Sequence, residues 1–423
     1  MKLYELVVVG GGPAGLAAAL EARKNGIQDI LIIERDEELG GILQQCIHNG
    51  FGLQVFKKEL TGPEYAERYM DMIETEKIPY KTETMVVDIT EDKVISYMNE
   101  LEGYITIQAT AIVLAMGCRE RTRGAINISG TRPAGVYSAG MAQLLINTEG
   151  FKVGKKVIIL GSGDIGLIMA RRMTLEGAKV VGVLARGNYA AGLARNVVQC
   201  LDDFDIPLML KHTIVKINGK ERVESVVMVE MDDKKQPIKG TEQTIECDTV
   251  LLSVGLIPEN ELSLKAHISL DQRTKGPVVD DAMSTNMEGI FACGNVLHVH
   301  DIVDFVSYES EKAGRNAAKY ILKEVIKESE MITTKAGEGI SYIVPQTIRQ
   351  DNPEKIVELL MRVRSVGTHK VIRVKLGDEV IREVKKDHVT PSEMEKIVIA
   401  TKVLKNKQNL ELTVELCEGE RNE

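Results

Sequence analysis

LVVVGGGPAGLAAALEARKNGIQDILIIE, residues 6–34, reads as strand, tight turn, helix and second strand. The apolar run Leu6–Val9 enters three glycines, and residues 13–26 carry apolar positions at Ala14, Leu16, Ala17, Ala18, Leu20 and Ala22. Gly10, Gly12 and Gly15 give G-x-G-x-x-G. The first glycine permits the sharp turn, the second the approach of backbone to a pyrophosphate, and the third close packing of helix on strand. Ile30–Ile33 then ends at Glu34, where a carboxylate meets an adenosine ribose. This combination predicts a dinucleotide-binding α/β unit.

The device recurs with Gly161, which stands 151 residues after Gly10. Strand KVIILG leads into Gly161, Gly163 and Gly166, a helix runs through Glu176, and strand KVVGVL follows at 179–184. Here the ribose acid is missing: the matching position falls near Leu184 or Ala185, with Arg186 next. An arginine suits the 2′-phosphate of NADP, and it also suits a solvent-facing charge, so NAD and NADP both stay open. Two nucleotides are implied, the second a nicotinamide one.

Outward from these turns, 423 residues suggest about two to four domains. With 44% hydrophobic and 27% charged residues, disorder is excluded as the main state. No apolar run reaches the roughly 18 residues of a membrane helix, and the start lacks the basic region and cleavage site of a signal peptide. Six cysteines (46, 118, 200, 247, 293 and 417) lie far apart without a CxxC pair, which fits a reducing compartment and makes the cytoplasm the expected location. A net charge of −9 and the absence of tryptophan argue against nucleic acid as a partner.

Three later stretches complete a pattern: Ile112-Val-Leu-Ala-Met-Gly117, Val250-Leu-Leu-Ser-Val-Gly255 followed by Leu256-Ile-Pro258-Glu-Asn260, and Gly289-Ile-Phe-Ala-Cys-Gly294-Asn295. With the two glycine turns they resemble the two-dinucleotide-binding-domain flavoproteins of the glutathione-reductase-like superfamily, over residues 1 to about 328. The resemblance implies that FAD is held at Gly10, Gly12, Gly15, Glu34, Arg35, Gly41, Ala115, Gly117, Gly294 and Asn295, and NAD(P)H at Gly161, Gly163, Gly166 and Arg186. It implies an FAD-binding domain of residues 1–120 and 270–328, an inserted NAD(P)-binding domain of residues 121–269, and a C-terminal domain of residues 329–423. Asn295 stands where the superfamily carries an aspartate for the ribityl chain, and its carbonyl can still accept a hydroxyl.

Four segments, GGILQQCIHNGFG (40–52), TGPEYAERY (61–69), RNVVQCLDDFDIPL (195–208) and GNVLHVHDIVDFVS (294–307), resemble one branch of that superfamily. These are NADH-oxidase-like subunits that accompany an FAD-dependent glycerol-3-phosphate dehydrogenase. The resemblance implies an electron-transfer role beside a partner dehydrogenase subunit, with room for an iron–sulfur protein and for an oligomer.

Disulfide reductases of the superfamily carry two cysteines, with four residues between them, after the glycine pair. Here Leu43 and His48 take those positions. Cys46 is the nearby thiol and either cycles through a sulfenate, as in an NAD(P)H oxidase or peroxidase, or fills space as a small apolar residue. His48 and His300 are the candidate proton carriers, since imidazole titrates near neutral pH. His298-Val-His300-Asp301 is a weak metal signal, and no metal is expected. A third reading is a flavin-bearing scaffold whose nicotinamide site is vestigial.

The last hundred residues change to β-branched runs: Ile340–Val344, Val357–Val366, Lys370–Leu376, Glu379–Lys385 and Leu410–Glu415 are expected strands of a docking or structural β-rich domain. Thr390-Pro391-Ser392-Glu393 has the pattern of a capping box and predicts a short helix. Helix is also predicted over Val303–Lys323, with its N-terminal amides toward a reduced flavin.

Overall fold

Leu6–Val9 is buried on both faces, as a strand must be when helices cover both sides of a parallel sheet. In the computed structural model, which describes residues 1–324, 330–405 and 411–419, it is the end of strand Lys2–Val9. Ile30–Ile33 pairs with it in parallel on one side and Gly103–Leu114 on the other. Ile290–Ala292 then pairs in parallel with the last residues of Gly103–Leu114, while Val94–Asn99 and Met85–Ile89 extend its first half as an antiparallel meander. Helices Pro13–Lys24 and Val303–Ile321 pack on each other through small residues: a Cβ on Gly314 would lie 2.1 Å from the carbonyl oxygen of Ala18. The chain divides into two compact units, Met1–Cys118 with Pro258–Glu423, and Arg119–Ile257.

The second unit repeats the arrangement. Val136–Ser138, Thr249–Leu252, Lys156–Leu160, Lys179–Ala185 and Leu208–Leu210 form one parallel sheet in that order. Helix Asp164–Leu175 follows its glycine turn. A four-stranded sheet of Ser129–Gly130, His212–Gly219, Val223–Glu230 and Gln243–Glu246, which the periodicity did not suggest, encloses a second core of Ile158, Leu184, Ile217 and Val226.

The C-terminal region is β-rich, with a five-stranded and a three-stranded sheet around Ile332, Leu359, Met361, Ile372 and Val414. Gly377, at φ 59°, turns the hairpin between Gly367–Leu376 and Glu379–Val389, as its sequence suggested. The final strand is described as Leu412–Glu418, and its expected start at Leu410 lies outside the described residues, as does the expected domain boundary near 328.

The helix expected at Thr390 is not there. Thr390–Glu393 makes one turn, with the Glu393 amide donating to the Thr390 carbonyl at 3.1 Å, and the chain enters strand Glu395–Ala400. Ile397 and Ile399 alternate inward with Lys396 and Val398 outward, so pairing with Ile356–Val363 buries a period-2 face that a helix would scatter.

Candidate functional site

Gly10 adopts φ 106°, and a Cβ there would lie 2.4 Å from the carbonyl oxygen of Ala115. A Cβ on Gly15 would lie 1.8 Å from the carbonyl oxygen of Gly10. Helix Pro13–Lys24 begins at Gly12 with no side-chain cap, so its first amides face outward. A Cβ on Gly41 would stand 3.1 Å from the Cα of Gly12, and one on Gly294 would stand 2.8 Å from the Cβ of Ala14. The chain thus brings residues 10–15, 41, 115 and 294 to one helix N-terminus and leaves it lined by backbone. That cradle fits a pyrophosphate, because the amides and the helix dipole both favour negative charge. Gly117 has open space at its Cβ, and only its φ of 72° calls for glycine.

Glu34 is buried, and the main chain aims it: its carboxylate accepts the amides of Gly11 at 2.6 Å and Asp36 at 2.9 Å. A carboxylate offers about four acceptor sites, so two remain for ribose hydroxyls. Arg35 is half-exposed and donates to Glu259 at 2.9 Å, so its guanidinium is engaged by protein.

Around Gly294 the structure assembles a cluster that the sequence did not show. Glu309, in the second turn of helix Val303–Ile321, accepts the Gly294 amide at 2.7 Å. Its two oxygens also face Nε2 of His298 at 2.7 Å and Nε2 of His300 at 3.2 Å. Burial alone would raise the Glu309 carboxyl, but the two imidazoles outweigh it and hold the group well below the usual carboxylate range. Burial pushes His298 down despite the pull of Glu309. The arrangement is an ionised carboxylate whose two oxygens face Nε2 of both imidazoles.

The Nδ1 atoms of His298 and His300 are buried without a hydrogen-bond partner among the described residues. A ring whose Nε2–H donates to Glu309 and whose Nδ1 is unprotonated presents Nδ1 as an acceptor, which suits a ligand with hydroxyl or N–H donors, as a flavin has. The donor atoms of His298, His300 and Glu309 lie within 4.8 Å of one another, close enough to hold a metal ion. Binding through Nε2 would move each proton to an Nδ1 that has no acceptor, so the set fits the hydrogen-bonded form better.

The Asn295 side-chain carbonyl accepts the amide of His300 at 3.0 Å, which leaves one lone pair and the side-chain NH2 for a ligand. Asp304, in the first turn of the same helix, is fully buried and accepts the amides of Gly52, Gln54 and Val55 at 2.8–3.2 Å. It fixes the stretch that follows His48. No spacing rule links Asp304 or Glu309 to these partners, which are remote in the chain or reached only by folding the loop back on the helix.

Cys46 lies just after the short 3-10 turn Gly41–Gln45, its Sγ 3.2 Å from the carbonyl oxygen of Ile42. Burial pushes its thiol up to about 12, the opposite of what a peroxide-reducing thiolate needs. The ring of His48 packs against Phe51 with centroids 5.1 Å apart and is not part of the His298–His300–Glu309 cluster. None of the six cysteines is in a disulfide.

The second unit repeats the glycine mechanics. Gly161 has φ 109°, with Cβ space closed at 1.8 Å by the carbonyl oxygen of Ser253, and a Cβ on Gly166 would meet the carbonyl oxygen of Gly161 at 2.5 Å. The Gly161 amide donates to Leu184 as the Gly10 amide donates to Ile33, which makes Ala185 the counterpart of Glu34 and Arg186 that of Arg35. Gly163 caps helix Asp164–Leu175 without a side-chain bond. Ser162 and Asp164 accept the amides of Ala191 and Leu193 at 3.0 and 2.8 Å, which ties the loop after Arg186 to this helix start. Arg186 is exposed and reaches the Lys235 carbonyl at 3.5 Å.

The sequence profile of the pyridine nucleotide-disulphide oxidoreductase family matches residues 4–319. The chain is 24% identical over 313 residues to an opine oxidase subunit of Agrobacterium tumefaciens (strain Ach5), covering 69% of this chain and 61% of that one. It is 27% identical over 337 residues to a thioredoxin reductase of Listeria innocua, covering 77% and 97%. The fold matches the crystal structure of T. acidophilum thioredoxin reductase with a TM-score of 0.61 at 22% identity, over 77% of this chain and all of that one. No helix among the described residues is long and apolar enough to cross a membrane.

Proposed function

The chain belongs to the pyridine nucleotide-disulphide oxidoreductase family, and we propose that it is an FAD-dependent NAD(P)H oxidoreductase working as the flavin-bearing electron-transfer subunit of a dehydrogenase assembly of the glycerol-3-phosphate dehydrogenase type. One observation carries this reading: both glycine turns are built, yet the positions after the first turn that hold a dithiol in disulfide reductases are Leu43 and His48. The chain spans about three-fifths of the opine oxidase subunit, a relative whose name marks it as one part of a larger enzyme. The four segments at 40–52, 61–69, 195–208 and 294–307 support the choice of assembly.

Bound FAD supplies the chemistry, taking an electron pair from NAD(P)H and passing it to an acceptor. The chain's residues bind and orient. Gly10, Gly12, Gly15 and Gly41 admit the pyrophosphate to the amides of helix Pro13–Lys24, and Glu34 takes the ribose. Ala115, Gly117, Gly294 and Asn295 would hold the inner part of the flavin nucleotide, the Asn295 side chain having its NH2 left to donate to a ribityl hydroxyl. Gly161, Gly163 and Gly166 do the same for the nicotinamide nucleotide, and Arg186 meets a 2′-phosphate if one is present. His300 and His298, aimed by Glu309 through Nε2, offer Nδ1 as the atom that takes up a proton. The cytoplasm is the proposed location, supported by six cysteines outside any disulfide.

Anaerobic titration with NADH and NADPH tests the reading. Bleaching with uptake of two electrons per flavin is expected. Uptake of four would reveal a redox-active disulfide and overturn it, and no bleaching by either nucleotide would favour a scaffold.

A further inference from the structure

Arg362 belongs to strand Ile356–Val363 of the C-terminal β region, yet its guanidinium is spent elsewhere. It donates to the carbonyls of Val299 and Pro391, each at 3.1 Å, and pairs with the Asp301 carboxylate. The second oxygen of Asp301 accepts the amide of Met394 at 2.7 Å. Tyr342, on the neighbouring strand Ile340–Val344, stands edge-on to His298 with ring centroids 6.0 Å apart. Two strands and the turn after Pro391 therefore hold residues 298–301 from one side.

On its other side that loop presents the two imidazoles to Glu309, and Glu309 holds the Gly294 amide. The chain of contacts runs without a gap from Arg362 through Asp301 and Val299 to the histidines, then through Glu309 to Gly294–Asn295. A planar guanidinium suits this place, because one group serves two carbonyls and a carboxylate in fixed directions.

We propose that Arg362 is a positioning residue for the flavin: it sets the 298–301 loop, and through Glu309 the Gly294–Asn295 turn, so that the C-terminal β region is a working part of the flavin site. This rests on the reading of Gly294–Asn295 as part of the FAD site.

A second clamp supplies the control. Arg349 makes a buried pair with Asp281, with nitrogen–oxygen distances of 3.1–3.3 Å, and its backbone amide donates to Asp281 at 2.8 Å. That clamp also ties the C-terminal region to the rest of its unit, but among the described residues none of the Arg349–Asp281 hydrogen bonds reaches residues 294–301. A general loosening of the region would follow from breaking either clamp, whereas an effect on the flavin should follow from Arg362 alone.

The test uses the full chain with Arg362→Met, Arg362→Lys, Asp301→Asn and Arg349→Met, reading the FAD dissociation constant, the shape of the flavin visible band and the thermal midpoint. Arg362→Met should raise the dissociation constant at least tenfold and change the visible band. Arg362→Lys and Asp301→Asn should fall between it and the parent, since each keeps part of the network. Arg349→Met should lower the thermal midpoint while leaving the dissociation constant within twofold and the band unchanged. If Arg362→Met does not fold, the lysine and asparagine variants carry the same comparison. FAD binding within twofold of the parent and an unchanged band, in folded variants at 362 and 301, would overturn the proposal and leave the FAD site standing. A parent chain that takes up no FAD would overturn both.

Discussion

The two glycine turns share their mechanics and differ at the end of the next strand. At each, a first glycine sits with positive φ under the carbonyl that follows a neighbouring parallel strand, Ala115 or Ser253, and a third glycine lies against the carbonyl of the first. Past that point, Glu34 turns back onto the Gly11 amide, while Ala185 has nothing to turn back and Ser162, in place of Gly11, instead holds the following loop. A Cβ on Gly11 would stand 2.5 Å from Leu39 and 3.0 Å from Glu34, so the inward acid and the extra glycine come together. The glycine spacing thus specifies how a helix leaves a strand, and the strand end specifies which groups are left facing that helix start.

The strongest way to break this comparison is to fill each third glycine. Gly15→Ala would drive a methyl to 1.8 Å from backbone, which overpacking of at least about 3 kcal/mol turns into more than hundredfold weaker FAD binding, read by flavin content after dialysis. Gly166→Ala, at 2.5 Å, should leave the protein yellow and slow only its anaerobic bleaching by NAD(P)H. Loss of flavin from both variants would mean that the two turns do not serve separate nucleotides.

Next in size is Glu34→Gln. Removing the charge from an acceptor of two amides costs about 1.5–3 kcal/mol, or roughly ten- to hundredfold in FAD affinity by fluorescence titration. No change would break the claimed difference between the strand ends. At the other end, Arg186→Ala should raise KM for NADPH about tenfold, the loss of one charge-assisted contact, and leave KM for NADH unchanged. Equal KM values before and after would assign Arg186 to solvent.

Acid sharpens the comparison differently, since the buried imidazole–carboxylate cluster belongs to the first unit. Glu309 is depressed in the folded state, so its contribution is present above the unfolded carboxylate value and is lost as pH falls toward the folded one. His298 is also depressed by burial, so protonation favours the unfolded chain once pH drops below about 6.5. Melting curves should therefore show stability declining below that pH, and His298→Asn should make the decline shallower. The smallest effect is expected from Cys46→Ser, with dye reduction by NAD(P)H within twofold of the parent, because a thiol raised by burial is not a nucleophile at neutral pH. A large drop would restore the peroxidase reading.

Two four-residue stretches show where sequence reading stops. Thr61-Gly62-Pro63-Glu64 has the same Thr-x-x-Glu spacing as Thr390-Pro391-Ser392-Glu393. The first is a capping box, with the Thr61 and Glu64 side chains bonding each other's amides. The residues downstream decide the outcome: Tyr65, Ala66, Tyr69 and Ile73 recur at helical spacing, whereas Ile397 and Ile399 recur at strand spacing. A cap lowers the cost of starting a helix and cannot supply the face that a helix must bury.

The sequence by itself determined the two strand–turn–helix units, the glycines that leave each helix start lined by backbone, the missing dithiol and the β-rich character of the last hundred residues. These depend on local geometry, where a glycine's missing side chain or a period of two suffices. Only the tertiary structure decided that Ala185 is the counterpart of Glu34, that Asn295 spends its carbonyl on His300, and that Glu309, Asp301 and Arg362 converge on one loop. Asp301 and Arg362 are 61 positions apart in the chain, and buried charges pair through space. Which charges meet is set by how sheets and helices stack, and no local pattern records that.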